Sequence, residues 1–363
     1  MNKRFTVLDS FRGLFAYIVA ICHFKAAGPI SNLLIIQKGS HFVDFFFVLS
    51  GFIIYHNYAH LSVGSAQIKF MKNRFYRLYP LHILMLVIFL LLEIGKFLLF
   101  SQGIFKSPVF EKNNITSFIV NLFFLQSFNI TPISWNYPSW SISAEIVAYI
   151  VFCLTIVYVN KVTRSYRIIA FVAISIISLY LIKVTNGSYN LEITSNFSMF
   201  RCMFGFFIGC AAYEFYSVVN GSGMVKHSTI LEILTLSLSL LATMYLPESY
   251  NFLLPLIYSF TIICFAFELG KVASWLSNNF FKQLGELSYS IYMTHAAIAI
   301  LFEIILKVFR IDSPYLLTFI LPIYLLTIFK VSKLTYKYVE VGFRQKLQPK
   351  KTGVIIPIES IKI

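Results

Sequence analysis

Two ionisable residues, Arg12 and His23, lie in one apolar run near residues 8–28, where charge is costly and each such group marks a candidate site. Eleven residues separate them, which at about 100° per residue comes within about 20° of three full turns and gives a rise of about 16 Å. Both side chains therefore share one helix face. An imidazole that titrates near neutrality can take a proton from a hydroxyl and hand it on, and a guanidinium can hold an anion. The plainer reading has Arg12 snorkelling to headgroups and His23 bonded to a neighbouring helix.

Arg74-Phe75-Tyr76-Arg77 places two more guanidiniums three residues apart, on one face. Their planar forks suit phosphate, although the same pair would serve as an anchor of basic charge at a membrane surface. Asp44 heads a second run that continues through Ser50-Gly51, a small face that another backbone can approach. Glu145 follows Pro138-Ser139-Trp140-Ser141-Ile142-Ser143-Ala144 and stands close to a helix N-terminus, where a carboxylate is favoured. It is read either as a ligand of a sugar hydroxyl or as structural. Ser288 and His295, seven residues apart, share a face with Tyr292 beside it. Five cysteines lie in apolar stretches without a CxxC pattern, so no metal site is expected.

The elements that must position these groups follow from composition. Of 363 residues, 58% are hydrophobic and only 12% charged, with a mean hydropathy of +0.75. A soluble chain carries about 25% charge, so a water-soluble enzyme is excluded. Apolar runs of about 20 residues occur near 8–28, 40–59, 79–100, 140–159, 167–185, 199–217, 229–246, 251–269, 287–307 and 314–336. The expected fold is all-α: a polytopic membrane protein of about ten transmembrane helices. A further piece at 115–128 is too short to cross and reads as a re-entrant or interfacial element. With both termini in the cytoplasm, twenty of the thirty basic residues fall on the inner side, as the positive-inside rule requires. The formal charge of +15 then needs no nucleic acid. The N-terminus shows no cleavable signal, no internal repeat is visible, and the oligomeric state stays open.

In this order the segments resemble acyltransferase family 3, bacterial membrane proteins that O-acylate cell-surface glycans. The matching pieces are Leu8-Asp9-Ser10-Phe11-Arg12-Gly13-Leu14 leading to His23, Val43 through Phe52, Arg74 to Arg77 before Tyr79-Pro80, Trp140 to Glu145, Leu287 through Tyr292 to His295, and Val339-Glu340 with Phe343-Arg344. Ala144 departs from the Val that more often precedes the Glu. The resemblance implies a membrane acyltransferase domain over 1–347 and a short cytoplasmic tail at 348–363, without the extracytoplasmic hydrolase-like domain of many members. It implies an acyl-CoA, usually acetyl-CoA, as cytoplasmic co-substrate, and a surface or lipid-linked glycan as acceptor on the far side of a bacterial inner membrane. Arg12 and His23 become the catalytic candidates and Arg74 and Arg77 the coenzyme A ligands. Asp44, Ser50, Glu145, Ser288, Tyr292 and His295 become substrate contacts or structural support. Two rivals are a non-catalytic transporter or channel for lipid or glycan, and the other large group of membrane-bound O-acyltransferases, which the six ordered segments fit less well.

Overall fold

Apolar backbone that crosses lipid must satisfy its own hydrogen bonds, and the computed structural model is helical accordingly, with no strand among the described residues. These are 3–24, 28–101, 109–219, 228–311 and 313–347. The tail 348–363, and Lys25, Lys106 and Lys226 of the charge pattern, lie outside them. In chain order the helices are α1 (Thr6–Cys22), α2 (Leu34–Gln37), α3 (Phe42–Tyr58), α4 (Ser65–Ser101), α5 (Ile115–Leu122), α6 (Trp140–Val159), α7 (Arg164–Asn186) and α8 (Met199–Val219). They continue with α9 (Ser228–Tyr245), α10 (Leu254–Ala266), α11 (Lys271–Leu276), α12 (Asn279–Glu286), α13 (Ser288–Val308), α14 (Pro314–Thr335) and α15 (Gly342–Leu347).

Nine helices among the described residues are long and apolar enough to cross a membrane, and they correspond to nine of the ten expected spans. The tenth is α1, whose 17 residues stop at Cys22, short of the 20 or so that a straight crossing takes. The chain is a multi-pass membrane protein. Two boundaries differ from the expectation. Helix α1 ends before the 8–28 run does, so His23 is its C-cap and not a residue of its interior. Helix α4 begins at Ser65 and carries Pro80 inside its 37 residues, so Arg74 and Arg77 stand on a continuous helix below the apolar stretch.

The segment 115–128 does not cross. Asn114 caps α5 by accepting from the Ser117 backbone N–H at 2.9 Å, and His82 Nε2 lies 2.8 Å from the Asn121 carbonyl. Ser127 N–H donates to Ser143 Oγ at 3.2 Å. Irregular backbone is thus covered and bonded by protein, the condition under which it is tolerated at membrane depth.

The packing centre is the α3–α8 pair, where small residues let two backbones touch. A methyl group at Gly51 would stand 1.8 Å from the Phe206 carbonyl oxygen, and one at Gly209 would stand 1.9 Å from that of Val48. Since backbone cannot yield as a side chain can, Gly51→Ala should cost at least the 1–3 kcal/mol or so typical of overpacking and lower the thermal midpoint in detergent. Gly95→Ala on α4, where a methyl meets nothing within 4 Å, should leave the midpoint unchanged or raise it. Equal midpoints for the two variants would refute this account of the interface.

Candidate active site

Seven of the ten residues singled out by type converge from five helices on one cleft. Arg12 comes from α1, Ser50 from α3, Arg74 and Arg77 from α4, Glu145 from α6, and Ser288 and Tyr292 from α13. The cleft encloses about 1050 Å³ counting its open mouth, and its lining includes Lys3, Arg4, Arg12, Arg74 and Arg77 against the carboxylates of Asp9 and Glu145. Cationic groups thus outnumber anionic ones, so the cleft suits an anionic ligand.

The cations are not equally committed. Arg4 reaches Asp9 at 3.0 Å and Glu286 at 3.2 Å. Lys3 donates to the Ala266 carbonyl at 2.7 Å; burial lowers its ammonium pKa, against the raising pull of Glu268. Arg12 has a longer contact with Asp9, 3.8 Å. Arg74 donates to Tyr58 Oη at 3.3 Å and lies 5.5 Å from that ring's centre, while its Nε is buried without a hydrogen-bond partner. Arg77 feels the like charge of both Arg12 and Arg74, with Glu340 opposing them. A guanidinium that feels two like charges in one cleft is stabilised by an anion placed beside it.

Glu145 faces this cluster with one oxygen already engaged. Its Oε1 accepts from Ser50 Oγ at 2.5 Å and from Tyr149 Oη at 2.6 Å. Asp44 lies outside the cleft lining. Its two oxygens take Arg201 Nε and Nη2 at 2.8 Å each, and both side chains are almost fully buried, at 1% and 3% exposure. Arg201 also donates to the Ile193 carbonyl at 3.1 Å and lies 5.2 Å from the Trp140 ring centre. Both carboxylate oxygens of Asp44 are thus engaged by Arg201.

Beyond Tyr292 the two histidines meet. His23 Nδ1 and His295 Nε2 are 3.0 Å apart, although 272 positions separate them in the chain. Tyr292 joins cleft and pair: its ring centre is 5.8 Å from that of His295, and its hydroxyl contacts Ser141 Oγ at 2.8 Å and the Pro138 carbonyl at 3.0 Å. The segment before α6 closes the other side. Trp135 holds a left-handed φ of 51°, a costly backbone state that persists only when its surroundings impose it. Asn136 donates to the Met293 carbonyl at 3.2 Å, and Tyr137 sets its ring edge-on to His23, 5.1 Å between centres.

Arg12 and His23 therefore divide the work that a shared helix face suggested for them: Arg12 lines the cleft and His23 joins the histidine pair. Sequence reasoning missed Tyr149 and Arg201. A signal existed for Arg201, since it and Asp44 each sit in the first turns of an apolar run at the same membrane face. For Tyr149, one tyrosine among 22, the signal was its place four residues after Glu145 on the same helix face.

Comparison with known proteins supplies the class of chemistry. A stretch of 91 residues, 24% of this chain, is 38% identical to "Protein 2 in picA locus" of Rhizobium radiobacter. The match covers 44% of that protein, so the chain spans less than half the length of this relative. No solved structure matches the chain. A family model described as an acyltransferase domain matches residues 5–332, a range that contains every cleft residue above except Lys3 and Arg4, together with both histidines. With residues 5–332 matched, this multi-pass membrane chain belongs to acyltransferase family 3.

Proposed function

We propose that the protein moves an acyl group, acetyl in the simplest case, from acyl-CoA to a hydroxyl of a surface or lipid-linked glycan. The observation that carries this reading is one cleft that presents Arg12, Arg74 and Arg77 together and ends at Tyr292, beside the histidine pair. The basic end of the bundle is the cytoplasmic one, with both termini there, in a bacterial inner membrane. Arg74 and Arg77 take coenzyme A phosphates at the mouth by charge-assisted hydrogen bonds. Arg12, deeper along α1, holds the thioester-bearing arm. His23 stands about 16 Å further along, where an acceptor from the far side arrives.

At His23 the acceptor O–H bond breaks as its oxygen attacks the thioester carbonyl. The proton passes to the imidazole, the C–S bond breaks, and the leaving thiolate takes the proton back as free thiol. The products are an O-acyl ester and coenzyme A, so atoms and charge balance without a metal. Glu145, with Oε1 occupied by Ser50 and Tyr149, offers its second oxygen to an amide N–H or hydroxyl of the bound substrate.

Purified protein in lipid vesicles, given radiolabelled acetyl-CoA and a lipid-linked glycan, should yield alkali-labile label on the glycan. A transporter or channel would leave the sugar unlabelled. Replacing both Arg74 and Arg77 by Gln should raise the KM for acetyl-CoA by tenfold or more, since each charged hydrogen bond contributes about 1.5–3 kcal/mol. The KM for glycan should change little. The reverse pattern would remove the phosphate role from this pair.

A further inference from the structure

We propose that His295 is a positioning residue that fixes the tautomer of His23 and so leaves His23 Nε2 bare to act as the base; the step this serves rests on the acyl-transfer reading above. The argument begins at a backbone carbonyl. His295 Nδ1 lies 3.3 Å from the Ile291 carbonyl oxygen, which can only accept, so Nδ1 of the neutral ring carries the hydrogen. Its Nε2 then has a lone pair and faces His23 Nδ1 at 3.0 Å. His23 must donate there, and its own single hydrogen is thereby placed on Nδ1.

The ring geometry fits a hydrogen bond and not a face-to-face stack. The two planes differ by 7° and the ring centres are 5.2 Å apart, which is the N···N distance plus one ring radius on each side. The rings meet edge to edge in a common plane, where the nitrogen lone pairs lie. The remaining nitrogen, His23 Nε2, has no partner among the described residues, and His23 is partly exposed while His295 is 0% exposed. The nitrogen left without a hydrogen bond is thus the one carrying the lone pair.

His295 itself is held from two further sides. Tyr324 Oη shares its one hydrogen between the carbonyls of Ala20 at 3.1 Å and His295 at 3.3 Å, which ties α14 to the end of α1 and to the turn of α13 carrying the ring. Asn136 bonds the Met293 carbonyl, two residues before His295. A serine-protease triad uses a carboxylate to orient its histidine. Here a neutral imidazole does so, which avoids a buried anion in the membrane. When His23 accepts the hydroxyl proton, its Nδ1–H bond to His295 becomes charge-assisted and strengthens at the moment charge develops.

The test compares two variants and one spectrum. His295→Leu removes the acceptor and should lower kcat by about 100-fold or more, as loss of a tautomer-fixing partner does, with the KM for acetyl-CoA unchanged. His295→Gln can donate its amide N–H to the Ile291 carbonyl and turn its oxygen toward His23 Nδ1, so it should recover at least about tenfold of that loss. Solid-state NMR of isotope-labelled histidine in the lipid-embedded wild type, with the His23 signals assigned by their absence from His23→Gln, should show Nδ1 protonated and Nε2 bare. A folded His295→Leu protein at full kcat, a Gln variant no better than Leu, or an Nε2-protonated His23 would each overturn the proposal. If the wild type labels no glycan yet shows the Nδ1 tautomer, the pairing is supported and the acyl-transfer reading alone falls.

Discussion

His23→Gln should lower the rate of acetyl transfer by about 10²–10⁴-fold, the range that a positioned acid–base group contributes, while the KM for acetyl-CoA and the yield of folded protein stay near wild type. The separation of effects follows from position. His23 is partly exposed at the C-terminal end of α1, so its loss opens no cavity in the core. It also lies outside the cleft that carries the three guanidiniums. Glutamine keeps a polar group of similar reach toward His295 but has no nitrogen lone pair to take a proton. Initial rates over a range of acetyl-CoA concentrations, with size-exclusion profiles as the folding control, check it. A variant with wild-type kcat would end the assignment of His23 as base, and one that raised KM alone would move His23 into donor binding.

The second large effect is on stability. Asp44→Leu should lower the stability of the protein by about 3–5 kcal/mol, because removing one member of a buried pair leaves the other charge uncompensated. Arg201 would then keep its contacts with the Ile193 carbonyl and Trp140 but lose both 2.8 Å carboxylate bonds. The double variant Asp44→Leu with Arg201→Leu should recover most of the loss, since an apolar replacement of a whole buried pair is often neutral or better. Thermal midpoints in detergent measure this. A single variant as stable as wild type would show that Asp44 does not brace α3 against α8, and a double variant worse than either single would show that the pair contributes net stability.

These expectations separate what can be read along the chain from what cannot. The positions of nearly all spans were legible, because a helix that faces lipid must be apolar over about 20 residues whatever its neighbours are. The α1 boundary was not. The run continues past Cys22, but the end of a helix is set by local backbone contacts, here Phe24 N–H turning to the Ile21 carbonyl at 3.0 Å in place of the α-helical partner four residues back, and hydropathy does not register them. Arg12, Arg74 and Arg77 could be named because charge near or inside apolar sequence is conspicuous. That they share one cleft could not, since Arg12 belongs to a helix separated from α4 by α2 and α3.

By itself the sequence determined the solvent, the class of fold, the order of the spans and the short set of polar residues that lipid alone does not explain. It also carried the ordered segments of an acyltransferase family. Only the tertiary structure decided how those residues pair. Asp44 turned from the cleft to Arg201, 157 positions away, and His23 found His295, 272 positions away. The physical reason is that helical periodicity fixes which side chains share a face of one helix, whereas the partner opposite that face depends on close packing such as the backbone contact at Gly51. In a bundle of this size many helices could stand opposite any given face, and the one that does is chosen by shape, a property of two surfaces at once.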